Sequence, residues 1–200
     1  MCKAIVVIAV VGCGTPSKPM TPRRSEAPAC RGDRFDAREL AAKCTSNRGS
    51  NAIAAANQLP PAIAFSVAPS AFSLAGGTTS EAALMMTNTS RDEVVLSLFT
   101  GCTDLATVES EIDGADGERV DSDRESMECA FGAGVCGTSI VTVALAPGGT
   151  IRAPFTVDTR RRTFQPCVEK RVGKVAAGSY TLRVLGMANL ADVSVPIRIR

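Results

Sequence analysis

Val193-Ser194-Val195-Pro196-Ile197-Arg198-Ile199-Arg200 alternates apolar and polar residues without a break. Successive side chains of a β-strand point to opposite faces, so this octapeptide buries Val193, Val195, Ile197 and Ile199 and wets the residues between them. Moving back along the chain, the same period of two recurs in Tyr180, Leu182 and Val184, in Ile151, Ala153, Phe155 and Val157, and in Val94, Leu96 and Leu98. Further strands are expected over Ile63–Val67, Ala82–Thr89, Asp104–Ile112 and Ser139–Leu145. Turn signals separate them: Ala75-Gly76-Gly77, Asn88 to Asp92, Asp113-Gly114, Pro147-Gly148-Gly149 and Ala177-Gly178. One wet and one dry face per strand is the habit of antiparallel sheets, and short strands at this spacing predict an all-β sandwich. Pro154 and Pro196 fall on wet faces and lack an N–H, which predicts edge positions.

The 200 residues are 45% hydrophobic, enough for a sizeable core. Aromatics are only 4%, with no Trp and a single Tyr, so aliphatic side chains must fill that core. The chain has no histidine. That removes Ser–His–Asp and Cys–His nucleophile systems, His-ligated metals and the usual proton shuttle near neutral pH. Neither a Gly-rich phosphate loop nor a G-x-S-x-G or S-x-x-K motif occurs. The expectation is a protein that is not an enzyme and carries no cofactor; carboxylate chemistry is the one catalytic alternative.

Before the strands lies a different kind of sequence. Asp33 to Cys44 reads as a short helix, capped by Asp33 or Asp36, with Leu40 and Cys44 on one face. Asn51 to Gln58 is Ala-rich, a second short helix or a linker, and Pro60-Pro61 closes this appendage. Gly14 to Pro28 has four prolines and no hydrophobic period, the composition of an extended tether. The chain opens with Lys3, eight apolar residues from Ala4 to Val11, and Gly12, the pattern of an export signal. Eight residues are far short of the roughly 20 that cross a bilayer, and no retained transmembrane helix is expected.

Val10-Val11-Gly12-Cys13 resembles the lipobox of bacterial lipoproteins. The resemblance implies cleavage after Gly12, a diacylglyceryl thioether on Cys13, and a lipid anchor in the cell envelope. Gly14 rather than Asp after the cysteine implies the outer membrane where there is one. Val10 stands where leucine is usual, and the apolar run is short. The implied organisation is a signal over 1–12, a tether over 13–29, a helical appendage over 30–59 and a sandwich over 60–200.

With Cys2 removed and Cys13 lipidated, Cys30, Cys44, Cys102, Cys129, Cys136 and Cys167 remain. An even number in an exported chain reads as three disulfides. Nearness suggests Cys30–Cys44 and Cys129–Cys136, which leaves Cys102–Cys167. No C-x-x-C pair supports zinc or redox chemistry.

Charge is unevenly spread. Asp104 to Glu128 holds ten acidic residues against Arg119 and Arg124; Ile151 to Arg200 holds ten basic residues against three acidic. Asp113, Asp116, Glu118, Asp121 and Asp123 are calcium candidates, since calcium takes several carboxylate oxygens. Their spacing fits no EF-hand loop, because Ser126 stands where glycine is required, and a solvated acidic loop partly neutralised by the basic strands is the favoured reading. Arg160-Arg161-Arg162, with Lys170, Arg171 and Lys174, is a candidate contact for polyanions or lipid headgroups, against a plain solvated hairpin tip. Without interleaved aromatics, nucleic acid is not an expected partner. Asn88-Thr89-Ser90 spells a glycosylation sequon and Arg31-Gly32-Asp33 an integrin tripeptide; neither is weighed on so few residues.

Three stretches carry a second resemblance. Met86 to Ser90 leading into Val94–Leu98, Leu145 to Thr150 running into Phe155 and Val157, and Ala177 to Leu182 resemble the immunoglobulin-like β-sandwich of bacterial BsuPI-type proteinase-inhibitor domains. The resemblance spans Ala83 to Val184. It implies a mainly-β, immunoglobulin-like antiparallel sandwich behind a short, disulfide-stapled helical appendage. The tryptophan that often follows the Pro-Gly turn is missing, so the fold is carried over and the inhibitory activity is not. The expected function is non-catalytic binding or assembly at the envelope, with an envelope protein as partner; a protease inhibitor acting through a protruding loop is the alternative.

Overall fold

The computed structural model describes residues 30–47, 59–100, 105–122, 139–164 and 169–200. The expected signal and tether, the Ala-rich stretch Asn51–Gln58, and Cys102, Asp123, Cys129, Cys136 and Cys167 lie outside the described residues.

Thirteen strands and one helix are present among the described residues. They are β1 (Cys30–Asp36), α1 (Ala37–Lys43), β2 (Thr45–Asn47), β3 (Ile63–Ala68), β4 (Phe72–Leu74), β5 (Thr79–Asn88), β6 (Val94–Phe99), β7 (Val108–Asp113), β8 (Arg119–Ser122), β9 (Ser139–Asp158), β10 (Arg162–Phe164), β11 (Glu169–Arg171), β12 (Gly178–Gly186) and β13 (Ala191–Ile199). One sheet has six strands, ordered β1-β9-β5-β3, with β2 and β6 also on β9. The other has five, ordered β4-β13-β12-β7-β8, and β10 and β11 form a separate hairpin. The protein is mainly β, as the period of two predicts.

The alternating strands bury the face they should. In β13, Val195, Ile197 and Ile199 are buried while Asp192, Ser194, Pro196 and Arg198 are exposed. They meet Leu182 and Val184 of β12 and, from the other sheet, Leu84, Met86, Leu96, Leu98, Val143 and Ile151, in one aliphatic core. Each such side chain contributes about 1.5–3 kcal/mol on full burial, so the shortage of aromatics is offset by number.

Three expectations need correcting. First, Pro147-Gly148-Gly149 does not turn the chain back. β9 runs 20 residues straight through it. Leu145 lies opposite Gly32 and Val94, and Thr150 opposite Arg34 and Thr87. Four residues, Ala146 to Gly149, therefore bulge out of β9 where β1 advances past Asp33 alone. Gly148 takes φ 67°, and a Cβ on Gly149 would stand 2.8 Å from the Ala146 carbonyl oxygen. The "PG" signal is a bulge signal here, because both halves of β9 are held by partners on the same side, β6 and then β5.

Second, residues 33–36, expected to open the helix, belong to strand β1. β1 pairs in parallel with β9, and the helix begins only at Ala37. Asp36 is its N-cap, with its Oδ1 accepting from the Arg38 N–H at 2.9 Å. Leu40 and Cys44 do share a buried face. Cys44 is disulfide-bonded to Cys30, Cα to Cα 5.7 Å. Far from standing apart, this stretch closes one side of the six-stranded sheet and places Ala37, Leu40 and Cys44 in the common core.

Third, Pro154 and Pro196 lie in strands with neighbours on both sides. Each sits beyond the reach of one neighbour: β1 pairing ends at Arg152 and β4 pairing begins at Ile197. The missing N–H costs nothing there.

Candidate functional site

The acidic middle and basic end of the sequence meet in the fold. Antiparallel pairing of β7 with β12 sets Glu111 opposite Arg183, and β12 with β13 sets Leu185 opposite Asp192. The fully buried Glu111 carboxylate lies 3.2 Å from Arg119 and 3.7 Å from Arg183, and Arg183 Nε donates to Asp192 at 2.8 Å. The hydrogen bond and charge of Arg183 outweigh desolvation and hold Asp192 below the usual carboxylate range.

A second set of pairs roots the β10–β11 hairpin. Asp121, on β8, accepts from the Arg162 backbone N–H at 2.9 Å and from its guanidinium at 2.9 and 3.1 Å. Only 8% of the Arg162 side chain and 1% of Asp121 is exposed, so this pair is desolvated. Asp158, at the end of β9, takes Arg160 at 2.8 Å and also Arg171. Burial alone would raise the Asp158 pKa, but the Arg160 hydrogen bonds and the charges of Arg171 and Arg160 hold it below its ordinary value. Thr159, fully buried, ties the same corner to the Ala75–Thr78 turn: its hydroxyl meets the Ala75 and Thr78 carbonyls at 2.9 Å, and its own carbonyl accepts from Val175 at 2.8 Å.

Of the calcium candidates, the described Asp113, Asp116, Glu118 and Asp121 are not brought together as a set. Asp121 is held by Arg162, and Asp116 Oδ1 accepts from the Glu118 N–H at 3.0 Å within the β7–β8 turn. No group of three potential ligands occurs among the described residues. Nor does the Arg160-Arg161-Arg162 run act as a triad. Arg160 and Arg162 face Asp158 and Asp121, and only Arg161 is exposed without a carboxylate partner among the described residues.

Two features were not legible as sites. Arg34, Phe35, Asp36, Met85, Thr150 and Arg152 line an open groove of about 420 Å³ on the six-stranded sheet. Asn88, the sequon residue, is fully buried. Its Nδ2 donates to the carbonyls of Asp92, Leu145 and Ala146 at 2.8–3.1 Å, and its Oδ1 accepts from the Ser90 N–H and hydroxyl. A glycan on that nitrogen and this fold exclude one another. Arg31 of the integrin-like tripeptide is in β1, paired with Glu93 at 3.0 Å.

No protein-family profile and no curated protein matches the chain. Among solved structures, the β-glucosidase of Listeria innocua in complex with laminaribiose aligns with 69% of this chain and 16% of its own length, at 9% identity and TM-score 0.31. A GH3 β-glucosidase of Bifidobacterium adolescentis aligns with 68% and 17%, at 15% identity and TM-score 0.27. The chain spans about a sixth of those enzymes, and a likeness this weak carries no argument about fold or activity.

Proposed function

We propose that this protein is a lipid-anchored component of a bacterial cell envelope, and that its immunoglobulin-like sandwich serves binding or assembly rather than catalysis. The observation that carries the reading is the succession Ala4–Val11, Gly12, Cys13, a proline-rich run, and then Cys30 at the first described strand. Fully extended, residues 13–29 reach at most about 60 Å, room for a folded domain to stand clear of headgroups. The Cys30–Cys44 disulfide supports an oxidising destination, where such bonds persist. The absence of histidine, and arginine partners on Glu111, Asp121 and Asp158, support a structural rather than a catalytic use of these acids.

Intact mass of the membrane-extracted protein tests the anchor. The expected species lacks residues 1–12 and carries a diacylglyceryl group on Cys13. An unmodified chain with a free Met1 terminus would overturn the proposal.

A further inference from the structure

The β10–β11 hairpin separates its cations by face. Arg162 pairs with Arg171 and Thr163 with Lys170 across the two strands. Just below, Val172 N–H donates to the Arg161 carbonyl at 3.0 Å, and Arg161 N–H to that of Gly173 at 3.1 Å. Side chains alternate across a strand. Arg162 and Arg171 therefore turn one way, into Asp121 and Asp158, and are neutralised there. Arg161, Lys170 and Val172 turn the other way. All three are exposed, Val172 at 51%, and neither cation has a carboxylate partner among the described residues. Lys174, also exposed, adds to the same field.

We propose that this outward face rests on an anionic lipid surface, with Arg161 and Lys170 at the headgroups and Val172 entering the interface. The inference rests on reading the chain as an envelope protein held near a membrane. Charge complementarity selects the partner: cations without acids attract a negative surface, and each basic side chain near such a surface strengthens binding about five-fold. The exposed valine among them distinguishes a bilayer from a soluble polyanion, since only the bilayer offers an apolar phase beneath its charges. The inward pairs serve this arrangement by fixing the hairpin to the domain, so that the outward face is presented rigidly.

Sedimentation with vesicles tests the inference on residues 13–200 carrying Cys13→Ser, the mature chain without its lipid and without the apolar Ala4–Val11 run, which would bind bilayers by itself. Vesicles of phosphatidylglycerol and phosphatidylcholine are compared with phosphatidylcholine alone at low and high salt. Expected are preference for the anionic vesicles, loss of that preference at high salt, roughly 25-fold weaker binding for R161Q/K170Q, and roughly three-fold or more for Val172→Ser. Melting temperatures of the variants check that the fold is retained. Equal binding to both vesicle types, no binding to either, or polyglutamate binding as tightly while Val172→Ser changes nothing, would each overturn it. Because the assayed chain has no anchor, the mass of Cys13 and this assay fail independently.

Discussion

Replacing Asn88 by alanine should be among the most damaging single changes in the six-stranded sheet. The residue sits where β5 gives way to β6 and where β9 bulges opposite them. Its two amide N–H groups are shared among three carbonyls, its oxygen accepts two bonds, and none of it is exposed. Alanine removes all five contacts, although Ser90 Oγ and the Asp92 carbonyl keep their own bond at 2.8 Å. The groups of Ser90 and Asp92 lie nearer the surface and regain water in part, while the Leu145 carbonyl is buried and does not. Taking about 1 kcal/mol for each of the two to three bonds that water cannot replace, with a small cavity added, gives a loss of about 3 kcal/mol. Urea unfolding followed by far-ultraviolet circular dichroism measures it, with Thr89→Ala as the control, since the Thr89 hydroxyl bond to the Ala62 carbonyl is exposed. Asn88→Asp sharpens the test. An ionised carboxylate there would face three carbonyl oxygens, so its folded pKa must rise above the unfolded value near 4. The native state then binds more protons than the unfolded state above that pH, and the variant must lose stability as pH rises from about 4 toward 7. An Asn88→Ala loss under about 0.5 kcal/mol, or an Asn88→Asp variant no less stable at pH 7 than at pH 4, would refute the reasoning.

Arg162→Leu alone should cost about 3–5 kcal/mol in urea unfolding, because it leaves the Asp121 charge buried, whereas D121L/R162L should lie near wild type; comparable losses in the single and double variants would show the pair itself to be the source of stability. Replacing Cys30 and Cys44 together by serine should cost about 3 kcal/mol for a closed loop of this length, measured as a lowered urea midpoint. Asp158 is held below its ordinary pKa, so its contribution is complete above about pH 4 and is lost as pH falls through its folded value; Asp158→Asn should flatten the acid limb of the stability–pH curve and leave a curve of unchanged steepness only if the arginines contribute nothing.

Strand positions were legible because alternation is a local consequence of having one wet face, and β13, β12 and β6 follow it residue by residue. What failed were features decided by distant partners. Gly32 to Asp36 has helical formers after it and a cap within it, yet β9 offers its backbone a parallel ladder, and the helix waits until Ala37. Pro147-Gly148-Gly149 carries turn chemistry, but a turn and a bulge demand the same residues, and only the flanking strands decide between them. The β12–β13 connection gave no signal at all: Met187, Ala188 and Asn189 all take positive φ, a conformation ordinarily left to glycine or asparagine. Met187 is fully buried, so packing of its side chain offsets the backbone cost.

The net charge of +2 hides a division that the topology resolves. Acids of β7 and β8 and cations of β12 and the hairpin are far apart in the chain, and sheet pairing carries Arg183 to Glu111. The seam of ion pairs that results consumes Arg160, Arg162, Arg171 and Arg183 on Asp158, Asp121, Glu111 and Asp192. A run of three arginines thus overstates what it can offer a partner, since alternation gives one side chain to solvent and two to the fold. The proposed lipid contact draws on cations outside that seam. Arg161 and Lys170 have no acid among the described residues, and they share their face with an exposed valine. On the proposed membrane contact, placing those three together gives a domain tethered beside a bilayer a fixed orientation on it.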